Sequence, residues 1–155
     1  KVRKNPRGLE AITAKNIKLN ENGIIHPMYK NKNKQFNAFC WHYDEAETLP
    51  NNSKVLASND KSKYQSISFN YNTSSVWAVQ YHPEFNPKWM AGLMSERKKI
   101  LLDNEVYKNI AEFEKEKKIF EYHDQLNSET LDDYDDIIDE NKHSLEISNW
   151  LNLEI

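Results

Sequence analysis

One short segment of the sequence combines a histidine and a carboxylate in a way that could support catalysis. His82 and Glu84 are separated by Pro83 and follow an apolar run, residues 75–81, that is typical of a buried strand. Proline favours extended backbone in the residue before it, and side chains two positions apart in an extended segment point to the same side. Glu84 would then hold one imidazole nitrogen of His82 and leave the other free to act as a base.

A bare His-x-Glu pattern also has a simpler interpretation. A buried histidine is often satisfied by a nearby carboxylate without any chemistry, and on its own this pair favours that interpretation. The position of the pair favours chemistry, because ligands of open α/β sheets bind just beyond the carboxyl ends of strands.

The elements that position this pair divide the chain into two regions. Residues 1–98 carry 15 basic and 8 acidic residues, whereas residues 99–155 carry 6 basic and 16 acidic ones. Alternating and aromatic-rich patterns predict strands in the first region, at 14–19, 35–43, 55–58, 64–71 and 75–81. Helical spacing predicts helices in the second region, the first of them starting at Asn86-Pro87 and later ones carried by Val106, Ile110 and Phe113 and by Leu131, Tyr134 and Ile138.

Composition excludes several classes of protein. The chain has 155 residues with 4 Trp, 8 Tyr and 6 Phe, enough aromatic side chains for a packed core. It contains no apolar run long enough to cross a bilayer, so no membrane association is expected. The three glycines are far apart and form no phosphate-binding loop, and we predict no cofactor. The basic residues form no cluster with interleaved aromatics, so we predict no nucleic-acid binding.

No metal site is predicted either. The histidines lack ligand spacing, and the acidic run at 132–140 is typical of a solvent-exposed helix face. The one cysteine, Cys40, excludes an internal disulfide and indicates a reducing compartment, which we take to be the cytoplasm.

The segment around His82 resembles the signature of the class I glutamine amidotransferases, in which a core strand ends in Gly-Val-Gln-Phe/Tyr-His-Pro-Glu. Further segments resemble the stand-alone, GMP-synthase-like branch of this family. They are Asn5-Pro6-Arg7-Gly8-x-Glu10, Gly23 with His26-Pro27-Met28-Tyr29, His42-x-Asp44-Glu45 with Leu49-Pro50, Val55-Leu56-Ala57-x-Asn59 and Glu146-Ile147-x-Asn149-Trp150-Leu151; the signature itself reads Ala78-Val79-Gln80-Tyr81-His82-Pro83-Glu84.

The resemblance implies a fold and a reaction. The fold is a flavodoxin-like α/β class I glutamine amidotransferase fold, of which residues 1–98 would form the carboxyl half and residues 99–155 an acidic helical C-terminal extension. The reaction is hydrolysis of glutamine to glutamate and ammonia through a Cys-His-Glu triad, with the ammonia passed to a synthase partner. In that triad His82 would be the base and Glu84 the residue that orients it.

The resemblance also implies a substrate-binding loop. In the family, the loop that corresponds to Trp41, His42, Tyr43 and Asp44 lies beside the substrate, and its backbone helps to hold the amino-acid end of glutamine. These four residues are therefore predicted to bind substrate. The alternative is a strand-end loop stabilised by a contact between His42 and Asp44.

The chain departs from the family pattern at its nucleophile. The family places the catalytic cysteine in Gly-x-Cys-x-Gly, upstream of the segments that match here. Cys40 has no neighbouring glycine for the sharp turn that such a nucleophile needs, and it is predicted to pack in the core. The chain is therefore predicted to be a fragment that lacks the nucleophile segment and is inactive alone.

Two family glycines are also replaced. Ala78 and Ile12 stand where the family has Gly, and a family glycine often marks a close approach of the backbone. Larger side chains there are expected to crowd the site and to reduce activity or change the substrate.

Three functions remain open at this stage. The first is a glutamine amidotransferase, and the second is a γ-glutamyl peptidase or hydrolase of the same fold, since some relatives in this branch cleave γ-glutamyl peptides. The third is a non-catalytic interaction protein that has kept the fold without the nucleophile.

Overall fold

Seven strands form the first half of the chain in the computed structural model, which describes residues 1–153 except for the side chain of Ser128. The last two residues of the predicted extension lie outside that range. The strands are β1 (Val2–Lys4), β2 (Glu10–Leu19), β3 (Gln35–His42), β4 (Asp44–Ala46), β5 (Lys54–Ser58), β6 (Ser66–Tyr71) and β7 (Ser74–Val79), with a short helix α1 (Glu21–Ile24) after β2.

Five of these strands form one curled sheet in the order β3-β2-β5-β6-β7, and β1 pairs with β4 beside it. Every pair among the described strands is antiparallel. Just beyond β7, the backbone N–H of His82 donates to the carbonyl oxygen of Phe39 in β3, at 2.7 Å. The two ends of the sheet therefore come together at the predicted site.

Helices fill the second half, as predicted. They are α2 (Pro87–Asp103), α3 (Ile110–Tyr122), α4 (Ser128–Leu131), α5 (Asp135–Ile138), α6 (Glu140–His143) and α7 (Leu145–Leu151). Asn86 caps α2 through its side chain, and Pro87 occupies the first turn, which confirms the predicted start of this helix. The predicted boundary at residues 98/99 falls inside α2, and the division into two domains stays a prediction.

Two predicted helical runs are less regular in the structure. The run carried by Val106, Ile110 and Phe113 starts later than predicted. Glu105 has a φ of +55°, a left-handed conformation that cannot belong to a right-handed helix. Helix α3 begins at Ile110, so Val106 lies outside it. The second run, 131–138, consists of short helical pieces. Its acidic residues place like charges three and four positions apart, which destabilises a longer helix.

The core consists of two apolar clusters on opposite faces of the sheet. Met90, Met94 and Phe120 of the helices pack against the face of β3 that carries Phe39. The other cluster collects Phe36, Cys40, Leu56, Tyr29 and Tyr81. Alternate residues of β3 thus point into different clusters, as the two-residue period of a strand requires.

Strand β7 is less buried than its apolar sequence predicts. Among the described strands it pairs with β6 alone and forms one edge of the sheet, and its last four residues, 76–79, are half-buried. Val76 and Trp77 therefore have room for a further neighbour on their free side.

This free edge predicts that the isolated 155-residue chain associates with itself. Ser75→Lys adds a charge to the free edge at β7 and should raise the fraction of monomer. Ser148→Lys is the matched control, because this serine is also exposed but lies on α7, away from the edge, and it should leave the fraction unchanged. Analytical ultracentrifugation measures this fraction. A monomeric parent chain with a sharp cooperative melt would contradict the prediction.

Candidate functional site

The structure brings His82 and Glu84 together. Nδ1 of His82 lies 2.7 Å from Oε1 of Glu84, so the carboxylate accepts a hydrogen bond from Nδ1–H and favours the tautomer in which Nε2 is unprotonated. Among the residues that the structure describes, Nε2 has no hydrogen-bond partner. About a third of the His82 side chain is exposed, which leaves this nitrogen open to a proton donor.

The backbone before His82 crosses from one end of the sheet to the other. The N–H of Gln80 donates to the carbonyl oxygen of Gln65, at 2.8 Å, beside β6, and two residues later the N–H of His82 donates to Phe39 of β3. Pro83 then ends the extended segment, because it has no N–H to donate. The imidazole is therefore fixed at the junction of β3 and β7.

Aromatic stacking fixes the plane of the imidazole. The rings of His82 and Phe85 lie 4.0 Å apart with an angle of 4° between their planes, and Phe85 in turn lies 4.1 Å from Trp89. The side chain of Asn86 accepts the N–H of Trp89 at 2.8 Å, so the cap of α2 also positions these rings.

A groove of about 480 Å³ lies next to His82. Apart from His82 and Arg97, its walls are apolar or aromatic. Trp89, Leu93 and Arg97 are four residues apart on α2 and so share one helix face. We call this the aromatic groove; it is lined by Trp41, Tyr43, His82, Phe85, Trp89, Leu93, Arg97 and Ile100.

The predicted substrate loop divides between two surfaces. Trp41 and Tyr43 line the aromatic groove with His82. His42 and Asp44 line a different cavity, and Nδ1 of His42 lies 3.0 Å from the backbone carbonyl oxygen of Asp44. The His42–Asp44 contact proposed as the alternative therefore exists through the backbone, while two of the four residues stand beside the imidazole.

A buried carboxylate, Glu10, lies behind this loop. Asn59 and Gln65 donate their side-chain N–H groups to its two oxygens at 2.6 and 2.8 Å, and Nε2 of His42 lies 2.9 Å from Oε2 without the alignment of a hydrogen bond. Several polar partners thus compensate the burial of this charge. Sequence reasoning identified Glu10 only as part of a motif.

Gln80 connects this region to the strand that carries His82. Its Nε2 donates to the carbonyl oxygen of Asp44 at 2.6 Å, and its Oε1 accepts from the hydroxyl of Ser62 at 3.0 Å. The amide therefore ties the end of β7 to the loop that carries Tyr43. The one feature of the sequence that could have predicted this tie is the position of Gln80, two residues before His82 in the same extended segment.

A second buried network holds the same strand end from the opposite face. The hydroxyl of Tyr81 donates to Oε1 of Glu146 at 2.7 Å and lies 2.8 Å from the hydroxyl of Tyr29. Nζ of Lys32 lies 2.9 Å from Oε2 of Glu146, and both side chains are almost completely buried. Burial, Tyr29 and Glu146 raise the pKa of Tyr81 well above its usual value, so the phenol keeps the proton that it donates.

Removing Glu146 should therefore be costly. Glu146→Ala leaves Lys32 as a buried, unpaired charge, and we expect it to lower the free energy of unfolding by about 3–5 kcal/mol. Asp103→Ala, which removes the partner of exposed Lys99, should change it by less than about 1 kcal/mol. Urea unfolding of the two variants tests this, and a loss for Glu146→Ala as small as that for Asp103→Ala would show that Lys32 is not left as a buried, unpaired charge.

Cys40 packs in the core, as predicted. It is fully buried and lies in the cluster on the face of β3 opposite Trp41. Burial, with a smaller effect from Glu10, raises the pKa of the thiol well above its usual value. A protonated thiol without access to substrate is a poor nucleophile.

The two replaced glycines lie away from the aromatic groove. Ala78 is in β7 opposite Ile67. Ile12 is buried and has a φ of +69°, a conformation in which a β-branched residue is strongly disfavoured. The family glycine at this position is thus explained by the backbone conformation of β2.

Strain at Ile12 predicts an unequal response of two buried isoleucines. Both Ile12→Gly and Ile17→Gly remove a side chain that is almost fully buried in β2, but only the first relieves a left-handed backbone. We expect Ile12→Gly to cost less free energy of unfolding than Ile17→Gly, by about 1–2 kcal/mol. Urea denaturation measures the difference, and equal costs would rule out strain at Ile12.

Residues 1–153 contain no group of three or more His, Cys, Asp or Glu side chains arranged to hold a metal ion. In the same part of the chain, no helix combines the length and the apolar character needed to span a bilayer.

Most of the chain matches a known protein family. The family model for glutamine amidotransferase class-I matches residues 2–102, which include β1–β7, His82 and Glu84. The chain belongs to this family. The family assignment predicted from the sequence motifs is therefore confirmed.

Two named relatives are longer than this chain. The chain is 30% identical to a γ-glutamyl-L-1-hydroxyisopropylamide hydrolase of a Pseudomonas species, over 144 residues that make up 89% of this chain and 48% of the relative. It is 32% identical over 57 residues to one of the subunits of the glutamine-hydrolysing GMP synthase of Methanocaldococcus jannaschii, over 37% of this chain and 29% of the relative. The chain thus spans about half, or less, of the length of these relatives.

Solved structures support the fold class. A glutamine amidotransferase from Thermotoga maritima superposes with a TM-score of 0.54 at 17% identity, over 78% of this chain and 50% of that protein. At this identity the likeness concerns the fold alone. It confirms that the chain has part of the predicted class I amidotransferase fold, followed by a helical C-terminal region.

Proposed function

We propose that His82 and Glu84 are the base and the orienting residue of an enzyme that hydrolyses the γ-amide of a glutamyl group. The observation that carries this proposal is the bond of 2.7 Å from Nδ1 of His82 to Glu84, which leaves Nε2 without a partner among the described residues while the partly exposed imidazole lines the aromatic groove. That arrangement is the one a base needs in order to take a proton from a nucleophile. The nucleophile would be a cysteine thiol in a part of the protein outside these 155 residues.

The reaction follows from this arrangement. Nε2 of His82 takes the thiol proton as sulfur bonds to the γ-carbonyl carbon, and the imidazolium then gives that proton to the nitrogen as the carbon–nitrogen bond breaks. Water next attacks the thioester carbon while His82 takes a proton from it, and the thiolate leaves and is reprotonated. Glu84 accepts the hydrogen bond from Nδ1–H throughout, stays ionised and stabilises the imidazolium.

Cys40 does not take the part of the thiol in this proposal. It is fully buried on the far face of β3, and its raised pKa keeps it protonated. We therefore expect the isolated chain to be inactive and the longer protein to supply the nucleophile.

Two substrates fit the proposal. The family motif implies free glutamine, whose ammonia would pass to a synthase partner in the cytoplasm. The relative with 89% coverage of this chain is named as a γ-glutamyl amide hydrolase, and this similarity together with the aromatic groove favours an N-substituted γ-glutamyl amide for this protein. A non-catalytic interaction protein is the remaining alternative.

The test is hydrolysis of glutamine and of γ-glutamyl ethylamide by the full-length protein that contains these residues. We expect His82→Ala to lower kcat by about 10³-fold or more, and Glu84→Gln to lower it less, because loss of the orienting residue leaves the base in place. His123→Ala, in the helical region outside the groove, is the matched control and should change kcat little. A full-length protein that releases neither ammonia nor ethylamine would support the non-catalytic alternative.

A further inference from the structure

The position of His82 determines where part of the substrate must lie. In the proposed function, on which this inference rests, Nε2 of His82 protonates the leaving nitrogen and must approach it within hydrogen-bond distance. Any substituent on that nitrogen therefore occupies the space next to the imidazole. In the described part of the chain, that space is the aromatic groove.

The wall of the groove nearest to His82 is aromatic. Phe85 stacks directly on the imidazole and Trp89 on Phe85, while Trp41 and Tyr43 contribute from the end of β3. The cation of the groove, Arg97, lies two helical turns beyond Trp89, about 12 Å along the axis of α2. The substituent thus meets rings rather than charges close to the reacting nitrogen.

Two of the four large aromatic side chains of the groove are exposed, whereas Trp41 and Phe85 are half-buried. Trp89 is 48% exposed and Tyr43 is 39% exposed. Covering a large aromatic surface with an apolar group removes it from water, which lowers the free energy of the complex. Ammonia, the product from free glutamine, has no apolar part and would leave the groove of about 480 Å³ nearly empty.

From these observations we propose that the substrate is a γ-glutamyl amide whose amine carries an uncharged aromatic ring, and that this ring packs between Trp41, Tyr43 and Trp89. The glutamyl part lies on the other side of the reacting carbon. Hydrolysis adds water across the carbon–nitrogen bond and releases glutamate and the amine that carries the ring, with His82 supplying the proton to the nitrogen.

Three substrates separate the role of the ring from the reactivity of the amide. The full-length protein is assayed with γ-L-glutamyl benzylamide, γ-L-glutamyl ethylamide and L-glutamine; the first two both release primary alkyl amines and differ mainly in the ring. We expect kcat/KM for the benzylamide to exceed that for the ethylamide by about tenfold or more.

Variants then locate the effect in the groove. Trp89→Ala should lower the benzylamide-to-ethylamide ratio of kcat/KM by about tenfold, and Trp89→Phe should restore most of it, because a ring remains. Trp150→Ala removes a similarly exposed tryptophan from α7 and should leave the ratio unchanged. Because the prediction concerns a ratio within one variant, a partial loss of folded protein does not affect it.

The outcomes separate this inference from the function on which it rests. If no substrate is hydrolysed in a way that depends on His82, the proposed function is wrong and the inference fails with it. If glutamine or the ethylamide is hydrolysed as efficiently as the benzylamide, or Trp89→Ala leaves the ratio unchanged, the function stands and the inference is wrong. An unchanged ratio in Trp89→Ala is expected if a polypeptide segment, and not a substrate, covers the groove.

Discussion

The geometry of the site depends on the backbone hydrogen bond from His82 to Phe39, at 2.7 Å. This bond draws the end of β7 away from β6 and onto β3, so that the curled sheet presents Trp41 and His82 to the same groove. It also points Tyr81 into the opposite cluster, because neighbouring residues of an extended segment face opposite ways. A shift of this segment by one residue would exchange the imidazole for the phenol and remove the base from the groove.

Two buried carboxylates hold this junction, one on each side. Glu10 collects amide donors behind the loop at 42–44, while Glu146 binds Tyr81 and Lys32 from the C-terminal helix. Buried charges destabilise a fold unless their partners are correctly placed. A shift of the strand end would separate each carboxylate from its partners and raise the free energy of the fold. His82 therefore keeps its position although it is partly exposed.

Local patterns in the sequence predicted much of the fold. Of the four residues in the candidate substrate loop, Trp41 and Tyr43 line the aromatic groove, and His42 and Asp44 do not. The aromatic run at 35–43 predicted β3 to within a residue, and Asn86-Pro87 predicted the start of α2. The network around Glu10 was not predictable, because its partners are 49 and 55 residues away and a single sequence carries no signal for such distant pairing. The helical spacing at 131–138 correctly placed Leu131, Tyr134 and Ile138 against one core cluster. It did not predict that this run divides into short pieces, since periodicity alone carries no information on repulsion between clustered carboxylates.

The pairing of Lys32 with Glu146 has a consequence for biosynthesis. The two residues are separated by 114 positions, so during translation the strands and α2 leave the ribosome well before the carboxylate that neutralises Lys32 and binds Tyr81. A domain generally folds as a unit. The buried ion pair of Lys32 and the bond from Tyr81 to Glu146 therefore form only when α7 has been synthesised, and only then is the strand end that carries the base held from both sides.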